Sequence, residues 1–238
     1  MVVGKLTVII PLRNEACNLE PLYRELVKVL PLNSKLIFVD DASEDSSIAV
    51  LEKLKLDDVR IEIISFKKRV GLGASILVGI QSTNSEIVLV MDSDLTHNPN
   101  DIPRVIKGLD SASLAIGSRY VKGGSMKPNS LYITSKIFAE VLRKVFKIRT
   151  HDMFGGFLAF RRVEYVEFLI DKHFRGFGEY SMRICLFAEA KHFVIEEIPC
   201  EFRPRGGGVK KSKRVKMFFY YLLATLNYKL ELRSNLKT

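Results

Sequence analysis

The strongest constraint on this chain is an alternation. Short β-branched runs, each closed by a polar or acidic cluster, take turns with segments whose apolar residues recur at helical spacing. Leu6–Leu12, Lys35–Asp41, Arg60–Phe66 and Glu86–Asp94 read as buried strands, and Leu19–Leu30, Ser46–Leu56 and Ala74–Gln81 read as the helices between them. Continuously apolar strands separated by helices predict an α/β fold: a mostly parallel, doubly wound sheet flanked by helices. In such sheets ligands sit beyond the carboxyl ends of the strands. The polar clusters Arg13-Asn14-Glu15, Asp40-Asp41, Gly71-Leu72-Gly73 and Asp92-Ser93-Asp94 fall in those places.

Further along, Ser113–Arg119, Gly156–Arg162 and Phe193–Ile198 read as strands, Pro128–Phe146 as a long basic helix and Tyr180–Ala190 as another helix. The loop Pro204–Arg214 is glycine-rich and cationic, and an apolar-aromatic helix follows it. The expected organisation is one domain over residues 1–209, then a basic linker and an amphipathic helix over 210–238. At 238 residues the chain is long enough to bury a substantial core. Lys and Arg number 37 against 27 acids, a net charge of +10 that favours an anionic partner. Nucleic acid is disfavoured, because no RNP-like, helix-turn-helix or zinc-finger pattern is present. The three cysteines, Cys17, Cys185 and Cys200, lie far apart without a CxxC, which argues against a disulfide framework and for a reducing compartment. The opening MVVGKLTVIIPLRNE lacks the apolar core of a signal peptide. The most apolar run, Met217–Leu226, falls short of the roughly 18 residues that a membrane-spanning helix needs.

Two carboxylates one residue apart at a strand end, Asp92 and Asp94, can hold a hard divalent cation through oxygen ligands. Such a cation can bridge a diphosphate and neutralise charge on a leaving nucleotide. The alternative is a strand-end turn with solvated acids. Asp40-Asp41 runs into Ala42-Ser43-Glu44-Asp45, where capping of the next helix by Ser43 or Asp45 competes with ligand contact. Gly71 and Gly73 precede a helix and could let backbone approach a phosphate or nucleoside. Neither GxGxxG nor GxxxxGK[ST] is present, which disfavours a dinucleotide-binding or P-loop enzyme.

Six pieces in order, Ile9–Glu15 (IIPLRNE), Val39–Asp45 (VDDASED), Gly71–Ser75 (GLGAS), Val90–Pro99 (VMDSDLTHNP), Gly117–Tyr120 (GSRY) and His151–Arg162 (HDMFGGFLAFRR), carry a resemblance. The chain resembles family 2 glycosyltransferases of the GT-A fold, particularly the polyprenyl-phosphate, dolichol-phosphate mannose synthase-like branch. The resemblance implies a nucleotide site lined by Pro11, Arg13, Glu15, Asp41, Gly71, Gly73 and Asp92, and a metal-binding DxD at Asp92 and Asp94 for Mg²⁺ or Mn²⁺. It implies that Arg119 and Arg205 face phosphates, with Lys136 joining them on the lipid-phosphate side, so that Asp92, Asp94, Arg119 and Arg205 form the catalytic set. For each arginine the competing assignment is a surface salt bridge. His97, just past the metal motif, is expected to serve the turn or to support its neighbours.

The chain also departs from the family pattern. An expected arginine is missing across Asn129–Thr134, which leaves Ser135-Lys136. The usual Ser/Thr-Gly-Phe-Arg/Lys element is Gly155-Gly156-Phe157-Leu158, and the family's Lys before GLG is matched at best by Arg69. The closing RxxGxSK survives loosely in Arg205–Lys213, and the family's helix acid has only Glu179 nearby. Absence of tryptophan excludes the QxxRW element of processive relatives. A phosphate monoester acceptor is already anionic and needs little deprotonation, so positioning by cations suffices. The expected reaction is inverting transfer from a nucleotide sugar, best GDP-mannose, to polyprenyl or dolichyl phosphate. A UDP-sugar donor or another lipid or glycan acceptor, a non-catalytic scaffold subunit, and a nucleic-acid-binding protein are the alternatives. Lys210–Lys216 beside the aromatic helix suggests an anionic membrane surface on the cytoplasmic face, bound peripherally. Packing of that helix on its own domain, on a second copy or on a membrane partner competes with this.

Overall fold

A computed structural model describes residues 6–176, 178–207 and 214–235. The chain starts with β1 (Leu6–Leu12), α1 (Ala16–Val29), β2 (Lys35–Asp40), α2 (Ser47–Asp57), β3 (Ile61–Ser65), α3 (Leu72–Gln81) and β4 (Ile87–Val90). It continues with α4 (Ile102–Gly108), β5 (Leu114–Ser118), β6 (Ser125–Met126), α5 (Asn129–Phe146), β7 (Leu158–Arg161), α6 (Glu179–Ala190), β8 (Ile195–Pro199), β9 (Glu201–Phe202) and α7 (Arg214–Asn235). Seven strands form one sheet in the order β3-β2-β1-β4-β7-β5-β8, and β6 pairs with β9 beside it. Every pairing in the large sheet is parallel except those of β7, which runs antiparallel to both β4 and β5. The mostly parallel α/β sheet flanked by helices that the sequence predicts is the one observed.

Period-two side-chain alternation explains why the strands are apolar throughout. On β1, Ile9 faces a core built with Ile76, Leu77 and Ile80 of α3 and Ile184 of α6. Its neighbours Val8 and Ile10 face a second core with Leu19, Leu22 and Leu26 of α1, Leu51 of α2 and Val105 of α4. Both faces are covered, so an alternating polar residue has no place to go. Helix α4 is not legible in the sequence because its seven residues, with Pro103 in the first turn, are too few to show a period.

The chain reverses direction across the sheet between β1 and β4. Pairing of β1 with β4 ends at Ile9↔Val90, and beyond it β1 runs on with β2 alone through Pro11 and Leu12. The resulting crevice is the topological switch point at which open α/β sheets bind ligands. Three non-glycine residues in left-handed conformation turn the chain there: Asn14 (φ 54°) after β1, Ala42 (φ 57°) after β2 and Leu95 (φ 66°) after β4. Such conformations are costly for residues with a Cβ and gather where the surrounding structure enforces them.

Helix α7 packs on α6 and α5, with Thr225 and Tyr228 buried and Ala224 and Leu232 against the first core. Residues 210–213 of the expected basic linker lie outside the described residues. Among the described residues, no helix is long and apolar enough to cross a membrane.

One buried titratable group reports on the α7 contact. His173 is 5% exposed, stacks on Phe168 at 4.7 Å and meets the edge of Tyr228 at 5.4 Å, and its Nδ1 has no hydrogen-bond partner among the described residues. Desolvation above all, with Lys172 and Arg183 adding repulsion against the pull of Glu231, lowers its pKa to about 4. The unfolded chain therefore binds this proton first, and the folded state loses stability as pH falls from about 6.5 toward about 4. A His173→Phe variant is expected to show a smaller fall in melting midpoint between pH 7 and pH 5 than the wild type. Equal falls would remove His173 as the cause.

Candidate active site

The site is assembled from the loops that follow β1, β2 and β4. The first two are zipped together: Asn14 N–H donates to Ser43 Oγ (2.9 Å), Glu44 N–H to Asn14 Oδ1 (2.8 Å) and Glu15 N–H to Ser47 Oγ (3.0 Å). Asp45 accepts from Ser47 N–H (2.9 Å) and Ala16 N–H (3.2 Å), so the capping expected of it is present. Arg13 reaches Glu44 at 2.9 Å. Asp40 is buried and accepts from the Ser43 amide and hydroxyl and from Ser65. Asp41 accepts from Val70 N–H (2.6 Å) and Gly71 N–H (3.1 Å), with Arg69 Nε 3.7 Å away. The carboxylate expected in the nucleotide pocket thus also fixes the loop leading into α3.

Gly71 and Gly73 part company. Gly71 has φ +94° and open space where a side chain would be, in keeping with a backbone that a ligand can approach. A methyl group on Gly73 would meet the Phe174 carbonyl oxygen at 1.8 Å. Its surroundings are protein, and its smallness serves the packing of α3 on the segment before α6.

After β4, Asp92 and Asp94 have different environments. Asp94 is nearly enclosed: Oδ1 accepts from Thr96 N–H (3.1 Å) and Thr96 Oγ1 (2.6 Å), and Oδ2 accepts from Arg205 Nη1 (2.7 Å). The Asp92 side chain is 42% exposed, and its nearest opposite group is His97 Nε2 at 3.8 Å. Desolvation by the surrounding protein raises the Asp92 carboxyl, repulsion from Asp94 and Glu15 adds to this, and His97 and Arg205 pull it back. His97 is 1% exposed, and both its ring nitrogens are used. Its Nδ1 accepts from Asp92 N–H at 2.9 Å, so Nε2 carries the proton and donates to the Gly155 carbonyl at 3.0 Å. Stacked on Phe157 at 5.0 Å, it braces the motif and is not placed to act as a base.

Arg205 reaches in from the segment after β9 and joins the first loop to the third, donating to Asp94 and, through Nη2, to Glu15. Glu15 is 4% exposed and also accepts from Asn18 Nδ2 at 2.7 Å. Pro11, buried at the end of β1, forms the floor beside it.

A second cationic pole stands at the end of β5. Arg119 pairs with both oxygens of the fully buried Asp152, Nε at 2.8 Å and Nη2 at 2.6 Å, and its own backbone N–H donates to Asp152 at 2.8 Å. Its guanidinium lies 4.8 Å from the ring centroids of both Tyr120 and Phe202. Glu197 of β8 orders this arrangement by accepting from His151 Nδ1 (2.8 Å), His151 N–H (2.8 Å) and Asp152 N–H (2.9 Å). Tyr120 leads to Tyr132 of α5 at 5.8 Å, and Lys136 Nζ lies 3.2 Å from the Tyr132 hydroxyl. Arg119 and Lys136 are therefore linked by a short aromatic path. Glu179 opens α6, buried, with Arg183 Nη2 at 3.9 Å and one carboxylate oxygen without a hydrogen-bond partner among the described residues.

The structure thus brings together Glu15, Asp92, Asp94 and Arg205 at one place and connects Arg119 to Lys136 at another. Asn18, Asp152 and Glu197 were not singled out from the sequence. Asp152 lies inside the quoted HDMFGG piece, and its acid next to His151 was the available signal; Glu197 reads only as a strand residue.

The family model described as Glycosyl transferase family 2 matches residues 7–167. The chain is 34% identical over 222 residues to a dolichol-phosphate mannosyltransferase of Pyrococcus furiosus, covering 91% of this chain and 61% of that protein. The chain therefore spans less than two thirds of that relative's length. It is 32% identical over 213 residues to a polyprenol monophosphomannose synthase of Mycolicibacterium smegmatis, covering 86% of this chain and 79% of that one. Among solved structures, glucosyl-3-phosphoglycerate synthase from Mycobacterium tuberculosis, in complex with Mn²⁺, UDP and glucosyl-3-phosphoglycerate, superposes with a TM-score of 0.66 at 16% identity. That match covers 94% of this chain and 78% of the other.

The two acids at the extremes of this site should respond oppositely to removal. Asp152→Ala strands a buried guanidinium and is expected to cost about 3–5 kcal/mol in urea unfolding. Asp92→Ala removes an open carboxylate and is expected to stay within about 0.5 kcal/mol of wild type.

Proposed function

The chain belongs to glycosyl transferase family 2, and on that premise we propose that it moves a sugar from a nucleotide diphosphate donor, best GDP-mannose, to a polyprenyl phosphate. The observation that carries this reading is the open Asp92 carboxylate beside Asp94 at the β1/β4 switch point, with Arg119 and Lys136 forming a separate cationic pole. The two sequence relatives, a dolichol-phosphate mannosyltransferase and a polyprenol monophosphomannose synthase, support mannose as the sugar and a polyprenyl phosphate as the acceptor class.

The donor set fits a hard divalent cation. The carboxylates of Asp92, open to solvent, and Asp94, one residue apart at the end of β4, supply the oxygen ligands that Mg²⁺ or Mn²⁺ takes. Bound between Asp92 and Asp94, it would supply neutralisation of the charge left on the departing nucleotide. The chain's own residues do the rest. Gly71 gives the donor a close backbone approach beside Arg13, Glu15 and Asp41, and Arg205 stands ready beside the diphosphate. Arg119, held rigidly by Asp152, and Lys136 orient an acceptor phosphate for in-line attack. Both His97 nitrogens are engaged by the backbone, Nδ1 by the Asp92 N–H and Nε2 by the Gly155 carbonyl, an arrangement in keeping with an acceptor that needs no base.

The acceptor class also gives a role to the outer surface. Helix α5 exposes Ile133, Ile137, Val141 and Val145 at four-residue spacing, and the adjoining α7 exposes Phe219, Leu223, Leu226 and Leu230. Lys127, Lys144, Lys147 and Arg149 are exposed around the α5 stripe. An apolar face ringed by lysine and arginine fits the interface of an anionic lipid leaflet, where the protein would sit peripherally on the cytoplasmic side.

Two measurements test this. GDP or UDP is expected to raise the melting midpoint only with Mn²⁺ or Mg²⁺ present, the better nucleotide names the base, and Asp92→Ala is expected to abolish the shift. No shift with either nucleotide would overturn the donor reading in favour of a non-catalytic scaffold. Vesicles containing anionic lipid are expected to sediment the wild type and to release Ile137→Asp/Val141→Asp. Unchanged binding by that variant would reassign the face to a contact between protein copies or a membrane partner.

A further inference from the structure

Arg205 holds a position that its place in the sequence does not announce. Its guanidinium bridges the acids delivered by β4 and β1, Asp94 at 2.7 Å and Glu15. The backbone around it is tied to the same loops. Arg203 N–H donates to the Thr96 carbonyl (2.8 Å), and Gly206 N–H donates to the Asp94 carbonyl (3.0 Å). The Arg203 side chain reaches Glu25 (2.8 Å) and Asn98 (2.6 Å), and the Gly207 carbonyl accepts from Arg205 Nε (2.5 Å) and Asn18 Nδ2 (3.4 Å).

The outcome is an asymmetric pair of acids. Asp94 has both oxygens engaged, Oδ1 by Thr96 and Oδ2 by Arg205, while the Asp92 carboxylate accepts no hydrogen bond among the described residues. Among the described residues, the guanidinium of Arg205 is the cation that contacts the acids of this site, through Glu15 and Asp94. A cation held by Asp92 and Asp94 would compete with the guanidinium for the Asp94 carboxylate. Two cations in contact with one oxygen repel strongly in a partly buried site.

We propose that Arg205 stands in for the divalent cation in the ligand-free protein, keeping Asp94 closed, and releases it when a donor diphosphate offers the guanidinium a replacement anion. This rests on the proposed metal and donor site and deepens it. Arginine pairs with phosphate as readily as with carboxylate, so the exchange leaves no guanidinium unpaired. Cation and nucleotide then bind cooperatively, each raising the other's affinity by the same factor. Arg205 thereby serves as a positioning residue for the DxD before it serves the diphosphate.

The test is Mn²⁺ binding followed by the loss of the free-ion paramagnetic resonance signal, with and without GDP or UDP. Arg205→Gln is expected to bind Mn²⁺ alone about tenfold more tightly than wild type, because the competing charge is gone. The same variant is expected to lose most of the nucleotide-induced gain in Mn²⁺ affinity. Arg205→Lys, which keeps the charge, is expected to resemble wild type in Mn²⁺ affinity without nucleotide. Mn²⁺ should also raise the melting midpoint of Arg205→Gln more than that of wild type, a readout that reports folding as well. Unchanged or weaker Mn²⁺ binding by Arg205→Gln, or equal tightening in Arg205→Lys, would overturn the exchange while leaving the donor site standing. Failure of the wild type to bind Mn²⁺ with either nucleotide would instead overturn the donor site and the exchange together.

Discussion

Three carboxylates, those of Glu15, Asp92 and Asp94, converge where β1 and β4 part, and their mutual repulsion is the constraint that the surrounding structure has to satisfy. Like charges so close are tolerated only where donors or counter-charges answer them. Asn18 and Arg205 answer Glu15, Thr96 and Arg205 answer Asp94, and Asp92 is left to solvent. The left-handed turns at Asn14, Ala42 and Leu95 bring the loops to this point. Their strain is sustained because each loop is hydrogen-bonded to another: the first to the second through Asn14, Ser43 and Ser47, and the third to the 203–206 segment through Thr96 and Asp94.

The second pole has opposite logic. Arg119 is charged and nearly enclosed, so Asp152 must hold it, and Glu197 must in turn hold the backbone that presents Asp152. Two aromatic rings flank the guanidinium and continue through Tyr132 to Lys136. Helix α5 therefore has two jobs on two faces. Lys136 points the cationic path toward the site, and Ile133, Ile137, Val141 and Val145 face outward.

The departures from the family pattern acquire physical reasons in this setting. Leu158, where relatives of the pattern carry a cation, lies in β7 between β4 and β5 and is 1% exposed. An unpaired charge there would be buried at high cost, and the apolar residue joins the core instead. Gly155 contributes its carbonyl to His97, so the element keeps a role in bracing the DxD although it has no hydroxyl. Arg119, Lys136 and Arg205 are the cations that the proposed reading assigns to phosphates.

Much of the fold was legible because its causes are local. Apolar runs of strand length, helical spacing between them and polar residues at the strand ends gave the α/β sheet and pointed to its carboxyl edge as the site. The antiparallel insertion of β7 was not legible, since strand direction depends on the path of a connection that the apolar pattern does not record. Gly73 looks like Gly71 in sequence, yet only the approach of Phe174, 101 residues away, separates packing from ligand access. Asp92 and Asp94 are likewise equivalent as a motif. One is open and the other closed because Arg205, 111 residues further on, reaches only the second. Sequence determined which residue types stand at the strand ends, since hydrophobic burial and backbone turns are written in neighbouring residues. Tertiary structure alone decided which of them remain available for chemistry, because the partners that occupy a charge are brought by the fold from distant parts of the chain.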